Sequence, residues 1–187
     1  MRPGSWGLPA SPRGWGRDAP GGDNGGVTID RADLDVLTEQ LGRVPRGAVR
    51  VAARCACGRP TVVVTAPRLD DGTPFPTCYY LTCPPAAVAI SQLEATGIMK
   101  QMTARLAVDD ELRAAHRRAH EAYIADREAL GHVPEIEGVS AGGMPDRVKC
   151  LHALAAHALA AGPGVNPIGD EALALVADTW RPDRCRC

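Results

Sequence analysis

The chain has 187 residues, the size of one ordinary domain. Its 21 basic and 22 acidic side chains give a net charge of −1, without the cationic surplus of a general nucleic-acid or membrane-surface binder. Hydrophobic residues reach 45% but aromatics only 4%, so the core must be built from Ala, Leu and Val, and no apolar run is long enough to cross a membrane.

Residues 1–27 are crowded with Gly and Pro and have no apolar period, which predicts a disordered extension. Arg2 is not followed by the uninterrupted apolar stretch of a signal peptide. A first helix is expected over "DRADLDVLTEQLG", capped by Asp30, striped by Leu34, Leu37 and Leu41, and stopped by Gly42. Three short strands follow, in "VPRGAVRVAARC", "TVVVTA" and "TCYYLT", separated by turn-rich segments. No crossover helix separates them, so the sheet should be antiparallel. In the third strand, alternation should bury one of Tyr79 and Tyr80 and expose the other.

From Pro84 onward the period is helical. "PPAAVAISQLEATG", "IMKQMTARLAVD" and "DDELRAAHRRAHEAYIADREALG" each read as a helix, the last with a stripe of Leu112, His116, Ala119, Tyr123 and Leu130. After a Gly-rich loop, a helix is expected from Pro145 to about Ala161, then a last one over "GDEALALVADTW". No internal repeat is present. Strands followed by a run of helices predict an α+β fold, a small antiparallel sheet covered by helices on one face. The expected division is an extension at 1–27, one domain at 28–180 and a flexible, cysteine-containing tail at 181–187.

Seven cysteines are present: Cys55, Cys57, Cys78, Cys83, Cys150, Cys185 and Cys187. With no export signal, the expected setting is a reducing cytoplasm, where clustered cysteines favour metal or thiol chemistry over disulfides. "CACG" is one residue short of a C-x2-C zinc knuckle, and no second C-x2-C exists. The terminal Cys185 and Cys187 read best as incidental residues of a tail.

Three segments carry a resemblance: "CxCG" with "TAPRLDDGTPFPTCYYLTCP", then "EGVSAGGMPDRVKCLHALAAH", then "GPGVNPIGDE". They resemble an uncharacterised bacterial family, the domain-of-unknown-function family numbered 501, over roughly Asp33 to Leu175. The resemblance implies no activity. It implies a gene neighbourhood of a division-septum initiator, enolase and an exopolyphosphatase, and hence a division-septum protein as a possible partner by association alone. It also singles out the cysteines of "RC", "LTCP" and "KCLH", which are Cys55, Cys83 and Cys150 here.

Cys55 and Cys83 lie at the ends of the first and third strands, where a meander could make them neighbours. On the expected Pro145–Ala161 helix, Cys150 and His157 share a face, ~10 Å apart along the axis, while His152 points elsewhere. That separation is too large for direct bidentate chelation, so Cys150 and His157 could meet at one site only through a distorted helix or bridging ligands; on that condition Cys55, Cys83, Cys150 and His157 form a candidate Cys3His site for zinc or an iron-containing centre. Two other readings stay open. The thiols and histidines could simply be packed, or Cys150 or Cys83 could be a nucleophile beside a histidine, with Cys150 and His152 as catalytic candidates.

"SAGGMPDRVK" raises a different chemistry. Gly142 and Gly143 precede the expected helix start at Pro145, with Arg147 and Lys149 close behind and Arg68 able to converge, which is the composition of an anion site. The P-loop and dinucleotide patterns are absent. His116 and His120 have metal-capable spacing, but their cationic neighbours favour a solvated face with His116 at its edge. The leading expectation is a soluble, cytoplasmic, Cys/His metal-supported or thiol-containing binding module. Its rivals are an enzyme acting on an anionic or phosphorylated small molecule at Gly142–Lys149, and a cell-division adaptor.

Overall fold

The structure is a computed structural model and describes residues 29–185 and 187. The extension expected at 1–27 lies outside the described residues. Helix α1 (Arg31–Leu41) starts where the Asp30 carboxylate accepts the Asp33 N–H at 2.8 Å. It ends at Gly42, whose φ of 66° is the left-handed conformation that closes helices cheaply only with glycine. Strands β1 (Ala48–Arg54), β2 (Pro60–Thr65) and β3 (Tyr79–Leu81) form an antiparallel meander in the order β1-β2-β3. Val62 pairs with Leu81 and Val64 with Tyr79.

This register divides the sheet into two faces. Val62, Val64, Tyr79 and Leu81 enter the main core, while Tyr80, one step out of phase, is half-exposed. Val63, Thr65 and Tyr80 line a cleft of about 340 Å³ on the other face, beside Leu41 at the end of α1. Helices thus do not all lie on one face of the sheet. α1 takes the second face because Leu37 and Leu41 need an apolar surface that the other helices leave open.

Helices α2 (Pro84–Ala95), α3 (Ile98–Val108) and α4 (Asp110–Glu128) follow, then a 3₁₀ turn at Pro134–Ile136, α5 (Leu151–Ala161) and α6 (Pro167–Leu175). α5 packs across all three strands and against α6. Gly169 makes that approach possible, since a Cβ there would sit 2.2 Å from the Leu154 carbonyl oxygen. None of the described helices is long and apolar enough to cross a membrane.

Two further expectations need correction. α5 begins at Leu151, not Pro145, because residues 141–146 form turns and Cys150 is the N-cap. His116 is buried completely, not at a solvated edge. Arg127, which the helical stripe leaves out, is also fully buried, with its guanidinium on the carbonyls of Ile136 (2.9 Å) and Val139. A cation satisfied by loop carbonyls can occupy an apolar face that periodicity assigns to hydrophobes.

Candidate metal centre

Two groups of metal-capable side chains are found among the described residues. The first is all sulfur. Cys55 follows the last residue of β1, and the segment Cys55–Arg59 is the β1–β2 turn, closed by the Gly58 N–H on the Cys55 carbonyl at 2.8 Å. Cys83 follows β3 and is the N-cap of α2, with Pro84 and Pro85 in the first turn. The segment after α6 folds back, so that the Ala56 N–H donates to the Pro182 carbonyl at 2.7 Å. That contact carries Cys185 and Cys187 onto the turn.

The thiols of Cys55, Cys83, Cys185 and Cys187 all lie within 4.8 Å of one another. Cys55 and Cys187 are 3.2 Å apart, and Cys83 and Cys185 are 3.7 Å apart. Four sulfurs on one tetrahedral zinc, each at ~2.3 Å, are separated by ~3.8 Å. An iron–sulfur cluster interposes iron and sulfide between its thiolates and spreads them further. These separations also exceed the ~2.05 Å of a disulfide, and all seven cysteines are free. The cluster therefore fits a single ion. Cys57, exposed, stands just outside it, 3.3 Å from Cys55 and 3.5 Å from Cys187.

The surroundings favour sulfur as thiolate. The Thr61 hydroxyl is buried without a hydrogen-bond partner and sits beside Cys55, lowering its pKa against the dominant effect of burial. The Trp180 indole N–H is likewise buried and unpartnered, and it is aimed at Cys185. Two orphaned donors flanking a sulfur cluster are explained if the sulfurs accept from them as anions. Burial nevertheless pushes Cys55 and Cys187 up, and Cys83 up to about 11. Each ionised sulfur makes its neighbours harder to ionise, a conflict that a dication at the centre resolves.

The second group is mixed: Glu94 near the end of α2, Cys150 capping α5, and His152 in the first turn of α5. His152 Nδ1 is 3.3 Å from Glu94 Oε1, and Nε2 is 3.1 Å from both the Ala87 carbonyl and Ser91 Oγ. Glu94 Oε1 also accepts the Leu151 N–H at 2.5 Å. The Cys150 thiol raises His152 to about 9, against the opposing effect of burial. At Cys150 burial raises the pKa, but His152 and the Ala153 N–H bring it below its ordinary value. All three side chains are partly accessible.

The four residues proposed from sequence as one metal set separate here. Cys55 and Cys83 meet, while Cys150 belongs to the mixed group. His157 lies in the core, stacked on Tyr79 at 5.4 Å and edge-on to Tyr123 at 5.2 Å, with Asn166 Nδ2 3.2 Å from its Nδ1. Burial pushes its pKa down to about 4. The shared face of Cys150 and His157 fails because Cys150 is a cap outside the helix. For the same reason His152 does not point away from Cys150. Cys185 and Cys187, read from sequence as incidental, complete the sulfur group. The tail segment they lie in packs on the β1–β2 turn rather than trailing free. The paired C-x-C spacings, Cys55/Cys57 and Cys185/Cys187, were the signal available for them. Cys78 is a core thiol, pushed up to about 12 by burial.

The anion reading loses its geometry. No helix starts at Pro145, and the backbone N–H groups of Arg147, Lys149 and Cys150 donate to the Gly143 and Gly142 carbonyls. The Val148 N–H donates to Thr103 Oγ1 at 3.0 Å. Gly142 and Gly143 have φ of 70° and 94°, and a Cβ on Gly142 would strike Leu154 at 2.5 Å, so they serve the turn and its packing. Arg68 is engaged by the Gly72 carbonyl at 2.7 Å and by Glu135 at 2.6 Å.

Compared with protein families, residues 51–174 match the model described as protein of unknown function (DUF501). The chain belongs to this family. The matched segment contains Cys55, Cys83 and the whole mixed group, and it ends before Cys185 and Cys187. No curated protein and no solved structure matches the chain.

Proposed function

We propose that this DUF501 protein is a metal-supported binding module in which Cys55, Cys83, Cys185 and Cys187 hold one zinc ion. The observation that carries the reading is the convergence of four thiols from three distant segments at single-ion spacing. Four protein ligands leave no open position, so the ion is structural. It fastens the β1–β2 turn and the C-terminal segment to the start of α2, and compensates for a core poor in aromatics. Such a site needs reduced thiols, consistent with a cytoplasmic setting. The cleft beside α1, with Val63, Phe75 and Tyr80 on its walls and Arg43 and Arg46 at its rim, supports the binding part of the reading.

Metal analysis of protein purified anaerobically without chelator tests this. The expected result is a zinc ion that survives gel filtration and is lost in Cys83→Ser. Metal-free protein whose thermal unfolding is the same with and without EDTA would overturn it.

A further inference from the structure

The mixed group calls for separate treatment, because nothing in the closed sulfur site requires it. We propose that Glu94, Cys150 and His152 form a second, open metal site for a zinc-like divalent ion, with one coordination position left to solvent or to an exogenous ligand. The inference stands without the sulfur site, since no residue is shared between the two.

Three observations carry it. First, the donors come from two elements and are different in kind: a carboxylate, a thiol and an imidazole, each offering one atom within 4.8 Å of the others. Nitrogen and oxygen ligands at ~2.0–2.1 Å from one tetrahedral ion are ~3.3 Å apart. The His152 Nδ1 to Glu94 Oε1 distance is 3.3 Å.

Second, the histidine is oriented from behind. The Ala87 carbonyl can only accept, so Nε2 carries a hydrogen, and Nδ1 is the nitrogen turned to Glu94. Fixing a ligand histidine through its far nitrogen is the usual support of a metal site. Glu94 is held in the same way, by the Leu151 N–H. Third, the group is accessible: the side chains of His152 and Glu94 are 29% and 22% exposed. An ion can reach it, and a fourth ligand can join.

The donor set selects the metal. One thiolate and one imidazole disfavour magnesium and calcium and suit zinc or its neighbours. Thiolate and carboxylate together neutralise a dication. Three protein ligands with an open position are the arrangement in which a metal binds water or an anionic small molecule.

Full-length reduced protein, freed of exchangeable metal, is titrated with cobalt(II) chloride and followed by thiolate-to-cobalt absorption and calorimetry. The expected result is one equivalent beyond any taken by the sulfur site, absent in His152→Ala and weakened at least tenfold in Glu94→Gln. The glutamine keeps an oxygen for the Leu151 N–H, so folding is preserved. In parallel, zinc should slow iodoacetamide alkylation of Cys150, read on its peptide by mass spectrometry, at least tenfold. A titration unchanged by His152→Ala, or a Cys150 alkylated at the same rate with and without zinc, overturns the proposal. Loss of the sulfur-site equivalent alone, in Cys83→Ser, leaves it standing.

Discussion

The two cysteine-bearing clusters differ in almost every physical respect. One is assembled from three distant segments, is buried but for the half-exposed Cys187, and contains only sulfur. The other spans the end of one helix and the start of another, is half-open, and mixes three donor types. A closed, uniform donor set stabilises a fold by cross-linking it, whereas an open, mixed set leaves chemistry available to a ligand. The same residue type, cysteine after a strand or at a helix start, serves both. What decides is whether the rest of the chain covers it. Cys83 at the start of α2 is sealed by the C-terminal segment, while Cys150 at the start of α5 is not.

The largest effect should come from removing the cover. A chain ending at Arg184 lacks two sulfurs, and its denaturation midpoint should fall by an amount that reflects several kcal/mol, comparable with the total stability of a small domain. Zinc should no longer shift that midpoint. If the shortened chain unfolds like the full one, the sulfur cluster is not a cross-link.

Next in size is the acid limb. His157 is buried with its pKa near 4 against an ordinary 6.5, so the folded state refuses a proton that the unfolded chain accepts. The stability this represents is complete above about pH 6.5 and is lost as pH falls towards 4, reaching about 3 kcal/mol. Asp126 is the charge that opposes the shift, and Tyr79, Tyr123 and Asn166 supply the neutral walls. His116, lowered by burial, acts with the same sign. Urea unfolding between pH 7 and 4 should show this loss, and His157→Leu should show clearly less of it. Equal acid sensitivity in both would mean that burial of His157 does not set the acid limb.

Gly169→Ala tests the packing that positions α5. Its methyl group would collide with the Leu154 carbonyl, and a loss of about 1–3 kcal/mol is expected in thermal or chemical unfolding. The smallest stability effect belongs to the open site. Glu94→Gln should change folding stability by less than about 1 kcal/mol while still costing metal affinity, the opposite of the profile at Cys83.

Local signals were legible in the sequence. Asp30 and Gly42 bound α1 because caps act through neighbouring backbone. β2 was legible from its β-branched residues, and its antiparallel neighbours from the short connections. The family was legible from long motifs, and its match includes Cys55, Cys83 and Cys150. What failed depended on turn closure and on contacts remote in sequence. A proline after two glycines looked like a helix start, but the turn closes on itself through Gly142 and Gly143, and a six-residue error in the helix start reversed the roles of His152 and His157. Cys185 and Cys187 were undervalued because a tail has no periodicity to show what it packs on.

The most direct test of the account is X-ray absorption at the zinc edge of protein carrying one equivalent of zinc. Four sulfurs at ~2.3 Å with no nitrogen or oxygen in the first shell are predicted. A shell dominated by nitrogen and oxygen would contradict it.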